Sequence, residues 1–248
     1  MAHIKVVRRS MRPEEWTDLR FGWLKRYIYG EKYEIEDLRV RDARQTAEMQ
    51  YEYYPEGWRN LRKGDMYFTP DGTAFFEADV TIPEHLRVKE LWFSLKTAAE
   101  IIVKVNGKYV GGVDPNRDRI LLTPYLNGAT ELHFEMEGYN RSKPDDERNP
   151  ESLSVRGCRQ IFEGAYLATI NHTVLDLVYD LELLLDIAKS ELFNEDYRSF
   201  LNREINNALN LIDFDDLKNE DVASAKKYVD DVIYANDDYK GNGDVALV

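Results

Sequence analysis

Residues 101–113 read IIVKVNGKYVGGV, two apolar-alternating runs that meet at Asn106-Gly107. A two-residue hairpin of the I′ type needs positive φ at both central positions, and Asn-Gly is the dipeptide that accepts it at least cost. No helix can run through such a segment, so the middle of the chain must be antiparallel β. Its surroundings agree. Pro70, Asp71 and Gly72 form a turn, after which Thr73 to Ile82 alternates, with Phe76, Ala78, Val80 and Ile82 opposite Glu77 and Asp79. Pro83 ends that strand. Leu91, Phe93 and Leu95, then Ile120 to Leu122, then Leu132, Phe134 and Met136, supply further short runs. Asn140 to Pro150 reads as a solvated loop, and Ser152 to Ile170 as an extended return. Many short strands separated by Gly, Pro and Asn turns predict a β-sandwich or jelly roll.

The flanks read differently. Pro13 suits a first helical turn, with Glu14 and Glu15 complementing the helix dipole. Trp16, Leu19, Trp23 and Tyr27 then recur at helical spacing, and Gly30 is the expected stop. Tyr33, Ile35, Leu38 and Val40 suggest extended chain, studded with Arg39, Arg41 and Arg44. After His172, Leu177, Leu181, Leu184, Leu185 and Ala188 form a helical stripe. A second helix is predicted over 195–211 with Asn194 as its cap, and a third over 221–234. The charge follows this division. Residues 173–248 carry 18 acidic and 7 basic side chains, hence −11 of the chain's net −13. The fold class is therefore α+β, an antiparallel β-sandwich followed by an α-helical connector. The expected segments are an N-terminal helix and extended piece packing on the sandwich (1–57), the sandwich (58–172), the connector (173–236) and a polar tail with a short strand (237–248).

Composition excludes several functions. A net charge of −13 over 248 residues opposes a phosphate backbone as partner, even where Tyr51, Tyr53 and Tyr54 interleave with arginines. No apolar run approaches the roughly 18–20 residues of a membrane span. Cys158 is alone, so it forms no internal disulfide and no cysteine metal cage, which makes the cytoplasm the default compartment. The four histidines, His3, His85, His133 and His172, are not at metal-ligand spacing. His133 and Glu135 share one face of a strand whose other face is Leu132, Phe134 and Met136, and they read as an exposed surface. Gly111-Gly112 is no phosphate loop, and no nucleophile elbow is present.

Against this background one resemblance stands out. Residues 64–83, GDMYFTPDGTAFFEADVTIP, are followed by the strand around Trp92 and then by VNGKYVGGVDPNRDRILLTPYL. Their order and spacing resemble galactose-binding-like jelly rolls, and more closely the N-terminal, non-catalytic region of family 38 α-mannosidases. Gly64-Asp65 before an aromatic strand, the Val-Asn-Gly hairpin and the loop bearing Gly112, Asp114 and Asn116 carry the resemblance. So does the passage from Phe162 to Leu185 into helices. The resemblance implies a parent enzyme that is a zinc-dependent retaining glycosidase, with zinc and nucleophile in a downstream catalytic domain. No cofactor and no catalytic residue is expected in this chain. The expected partners are that downstream domain and a mannoside glycan.

Asp114, Asn116 and Arg117 are the candidate contact residues, because they gather donors and acceptors on a loop beside a rigid hairpin. The alternative is that Asp114 and Asn116 organise the turn through side-chain to backbone bonds, with Arg117 solvated. A free-standing carbohydrate-binding module is the alternative, with Trp58, Trp92 and exposed tyrosines as stacking platforms, although Trp92 beside Leu91 and Phe93 also reads as core. A scaffold with acidic docking helices is a third reading. Val245 to Val248 reads as the start of a catalytic-domain strand, which without sheet partners would favour self-association.

Overall fold

The computed structural model describes residues 12–67, 72–97, 99–140 and 160–235. The Pro70-Asp71 turn, His3, residues 141–150 of the polar loop, Cys158 and the tail with Val245 to Val248 lie outside the described residues. The chain divides into two compact units, one from Glu31 to Ile170 and one drawn from the segments up to Gly30 and from Asn171 onward. In chain order the elements begin with helix α1 (Pro13–Lys25). Strands β1 (Tyr29–Glu34), β2 (Arg39–Ala47), β3 (Gln50–Tyr53), β4 (Arg59–Asn60), β5 (Met66–Tyr67) and β6 (Gly72–Thr81) follow. Then come β7 (Trp92–Leu95), β8 (Glu100–Val105), β9 (Lys108–Val113), β10 (Arg119–Leu121), the short helix α2 (Thr123–Leu126) and β11 (Glu131–Asn140). After β12 (Gln160–Ile161) and β13 (Ala165–Ile170) come the helices α3 (His172–Lys189), α4 (Glu195–Leu209) and α5 (Asn219–Tyr228).

The first unit is an antiparallel β-sandwich. The larger sheet runs β3-β2-β6-β11-β8-β9, with β4 also paired to β2, and the smaller runs β1-β13-β7-β10. From β6 to β13 the chain passes repeatedly between the two sheets, as jelly rolls do. Each inner face is apolar because side chains alternate: Phe76, Val103 and Phe134 of the larger sheet are buried with Phe93, Leu95 and Leu167 of the smaller. The Phe93 and Phe134 rings meet with centroids 4.9 Å apart. At the hairpin, Asn106 (φ 49°) and Gly107 (φ 74°) take the positive φ that the turn requires. Asn106 also caps the neighbouring strand. Its N–H donates to the His133 carbonyl at 2.8 Å, and its Oδ1 accepts from the His133 N–H at 2.8 Å. One bulge interrupts the β8–β9 ladder: Val103 faces Gly111 but Lys104 faces Tyr109, which leaves Val110 as the extra residue.

The helical unit buries Leu177, Leu181, Leu184 and Leu185 of α3, Leu201 and Ile205 of α4, and Val222 and Ala225 of α5. Asn171 and Asn194 cap α3 and α4, accepting from the Val174 and Tyr197 amides at 3.4 and 2.8 Å. The third helical segment is not one α-helix to Tyr234, since Val229–Tyr234 widens into a π turn that buries Val229 and Ile233. No described helix is long and apolar enough to cross a membrane.

Two expectations change at the N-terminus. The helix stops at Lys25, well short of Gly30, which lies in β1. Its buried face is Thr17, Arg20, Phe21 and Leu24, while Trp16, Leu19 and Trp23 are half-buried and Tyr27 is exposed. Both sets satisfy the helical period, and polar partners decide between them. Arg20 donates to Asn210 Oδ1 at 2.7 Å and to Asn206, both at the end of α4. Lys25 pairs with Glu182 at 2.6 Å, and Asp18 with Lys189 at 2.8 Å. The helix expected to pack on the sandwich therefore belongs with the C-terminal helices, whereas the extended piece after it enters the sheets.

At Gly107 nothing lies within 4 Å of an added Cβ, so substitution there tests the backbone alone. Gly107→Val should cost about 1–2 kcal/mol because a β-branched residue resists positive φ. Urea unfolding checks this, and an unchanged midpoint would contradict the turn assignment.

Candidate functional site

The outer face of the larger sheet is where side-chain chemistry collects. Antiparallel register sets it out in rows. One row reads Arg39, Glu77, Glu135, Lys104 and Tyr109 across β2, β6, β11, β8 and β9. The next reads Arg41, Phe75, Glu137 and Ile102 across β2, β6, β11 and β8. Tyr53 at the sheet edge and Trp58 just beyond it close one end, and the rows enclose a cleft of about 300 Å³. The bulge in β9 matters here, because it brings Tyr109 beside Lys104, whose ammonium lies 4.7 Å from the ring centroid.

The cleft is held by aromatic and ionic contacts. Tyr51 meets Phe75 edge-on at 4.9 Å and donates its hydroxyl to Glu137. That bond to a carboxylate, reinforced by partial burial, pushes the Tyr51 phenol up to about 12. Arg39 pairs with Glu77 at 2.8 Å and lies 5.8 Å from the Trp58 ring. Arg41 stacks 3.7 Å from the centre of Tyr53, and its Nε has no hydrogen-bond partner among the described residues. Tyr109 is 67% exposed and Ile102 56%, so a ring and an aliphatic face stand open to solvent. Such a surface offers apolar faces to a ligand's flat apolar side and charged donors and acceptors to its edge. His133 belongs to the row beyond, paired with Asp79 at 2.7 Å.

The residues expected to form a contact loop, Asp114, Asn116 and Arg117, lie elsewhere, and the Asp114 carboxylate is bonded within the turn. Asp114 Oδ1 accepts from the amides of Asn116 and Arg117 at 2.8 and 3.0 Å. Its Oδ2 accepts from Arg117 Nε and Nη2 at 2.9 and 2.8 Å. The Asn116 amide and the Arg117 guanidinium hold the Asp114 carboxyl below its ordinary value. The turn spends the polar atoms of Asp114 internally. Trp92 is half-buried and donates Nε1 to Glu90 at 2.7 Å. Among the described residues, no three His, Cys, Asp or Glu side chains come together to hold a metal. The cleft itself escaped sequence reasoning. Alternation marks Glu77, Glu135 and Lys104 as outward-facing, but only the register shows that they share a row with Tyr109.

No protein-family model matches the chain, and no curated protein matches it. Solved structures give weak likenesses. A Bacteroides uniformis β-glucuronidase aligns over 56% of this chain and 18% of its own, at 18% identity and a TM-score of 0.39. A Ruminococcus gnavus β-glucuronidase aligns over 57% of this chain and 29% of its own, at 9% identity and 0.35. A putative β-galactosidase from Bacteroides fragilis aligns over 56% and 23%, at 18% identity and 0.36. The chain spans less than a third of the length of each of these proteins. At scores this low the likenesses decide neither fold nor activity.

Asp114 binds its proton less readily folded than unfolded. Its bonds therefore stabilise the fold in full above the ordinary aspartate value of about 4 and fade as pH falls through the lower folded value. The melting-temperature gap between the wild type and Asp114→Ala should be constant near neutrality and narrow in acid. Scanning calorimetry checks this; a gap that stays constant into strong acid would contradict the charged turn.

Proposed function

We propose that the chain is a non-catalytic, glycan-contacting β-sandwich of a glycan-processing enzyme, and that the outer-face cleft is the contact. The observation that carries this reading is the combination of open rings and aliphatic surface with carboxylates and cations in one cleft of about 300 Å³. A pyranose has the matching anatomy. Its C–H faces suit aromatic surface, and its hydroxyls donate to carboxylates while accepting from guanidinium and ammonium groups. The resemblance over residues 64–83 and 105–126 supports the finer reading, the N-terminal region of a family 38 α-mannosidase, working in the cytoplasm on mannoside glycans. In that reading the zinc and the nucleophile belong to a downstream catalytic domain, and this chain supplies none of their ligands. A free-standing carbohydrate-binding module uses the same cleft.

The test is retention of the folded chain on a panel of immobilised neutral and acidic glycans. Tyr109→Ala should weaken retention about tenfold while leaving stability within the roughly 0.5 kcal/mol typical of exposed positions. A folded chain retained by no glycan would overturn the proposal. Purified chain should show no turnover of an aryl α-mannoside, whichever glycan it binds.

A further inference from the structure

The shape and charge of the cleft say more about its occupant, provided the glycan-contacting reading holds. We infer that it is a groove for one linear, uncharged oligosaccharide, laid across the strands between Trp58 and Tyr109. The direction follows from the register. The floor side chains come from two neighbouring rows only, so along the strands the groove is two outward-facing positions wide. Across the strands it runs from β2 through β6, β11 and β8 to β9. Four gaps between strands, at about 4.8 Å each, make a length of about 19 Å. A single sugar ring fills a fraction of that length, and a short chain fills all of it.

The charge follows from the same rows. Arg41 and Lys104 line the groove against Glu77, Glu135 and Glu137, and Arg39 beside it pairs with Glu77, so the groove has no surplus of positive charge with which to hold an anionic ligand. Order within the row matters as well. Glu77 and Glu135 sit directly opposite each other, an arrangement of like charges that costs stability. Arg39 answers Glu77 on one side, and Lys104 is the cross-strand neighbour of Glu135 on the other. The paired carboxylates at the centre are acceptors that call for neutral donors, which sugar hydroxyls are. An anionic glycan would instead meet those carboxylates and the field of a chain carrying −13. Trp58 and Tyr109 then act as end platforms, with Ile102 as aliphatic floor between them.

Isothermal titration of the full chain decides this, using mannose, xylose and glucose, linear mannotetraose, xylotetraose and cellotetraose, and tetragalacturonate. The expected result is a neutral tetrasaccharide bound about tenfold or more tighter than its own monosaccharide, with tetragalacturonate no tighter than the monosaccharides. Trp58→Ala and Tyr109→Ala should each remove most of that chain-length advantage, with circular dichroism confirming the fold. Should Trp58→Ala unfold the protein, Trp58→Phe should fold and retain part of the advantage. Equal affinity for a tetrasaccharide and its monosaccharide would overturn the groove while leaving the glycan-contacting reading in place. Preference for tetragalacturonate would overturn the uncharged ligand. Failure to bind any of these sugars, from a folded chain that also binds none of the panel, would instead overturn the glycan-contacting reading beneath it.

Discussion

Ten consecutive residue pairs join β6 to β11, from Gly72 opposite Asn140 to Thr81 opposite Glu131. Every other feature of the sandwich depends on that alignment. Because side chains alternate with a period of two, it turns Phe76, Ala78 and Val80 inward together with Leu132, Phe134 and Met136. The same alignment turns Phe75, Glu77, Glu135 and Glu137 outward. A slip of one residue would exchange the two sets and bury carboxylates against the smaller sheet. Core and cleft are thus opposite faces of a single constraint. The energetic demand for a dry interior fixes the geometry of a wet exterior that it never touches.

How far the sequence reveals this can be seen element by element. The Asn106-Gly107 hairpin, the alternation in Thr73 to Ile82 and the leucine stripe of α3 each reflect neighbours within a few residues, and each is legible from the chain alone. Asn194 is legible as a cap for the same reason. The face of α1 is not, since Trp16 and Phe21 both fit a helical period. The choice rests on Asn206 and Asn210, nearly two hundred residues away. The cleft fails for a related reason. Arg41, Trp58, Phe75, Lys104, Tyr109 and Glu135 come from separate segments, and only pairing register brings them into common rows. Asp114 shows the opposite limit. Its residue type and position suit either a contact residue or a turn organiser, and only the geometry shows that its oxygens are occupied by Asn116 and Arg117.

The bulge in β9 joins architecture to chemistry. An edge strand invites pairing with another chain, and a local twist is one way to blunt it. Here the extra residue is Val110, buried in the core, and Gly111 accepts the φ of 148° that the distortion imposes. The glycine pair that does not make a phosphate loop thus has a structural employment. Gly112 meets a further limit, since an added Cβ would come within 3.1 Å of the Ile101 carbonyl oxygen. One irregularity buries Val110 and leaves Tyr109 beside Lys104 on the outer face.

The helical unit is assembled from chain on both sides of the sandwich. α1 is made long before α4, whose end supplies the Asn206 and Asn210 partners of its buried Arg20. An isolated helix of 13 residues is marginal in water, so it contributes little order by itself. The sandwich intervenes, and its first and last strands, β1 and β13, are neighbours in the smaller sheet. When that sheet closes it delivers the two distant segments to a common starting point, where the Asn171 amide meets the Ile28 carbonyl at 2.8 Å. Strand pairing thereby meets part of the loop-closure entropy that joining two segments so far apart in sequence requires. Chain connectivity therefore makes the neighbouring places of β1 and β13 the point at which the two halves of a split helical unit return to the same end of one sheet.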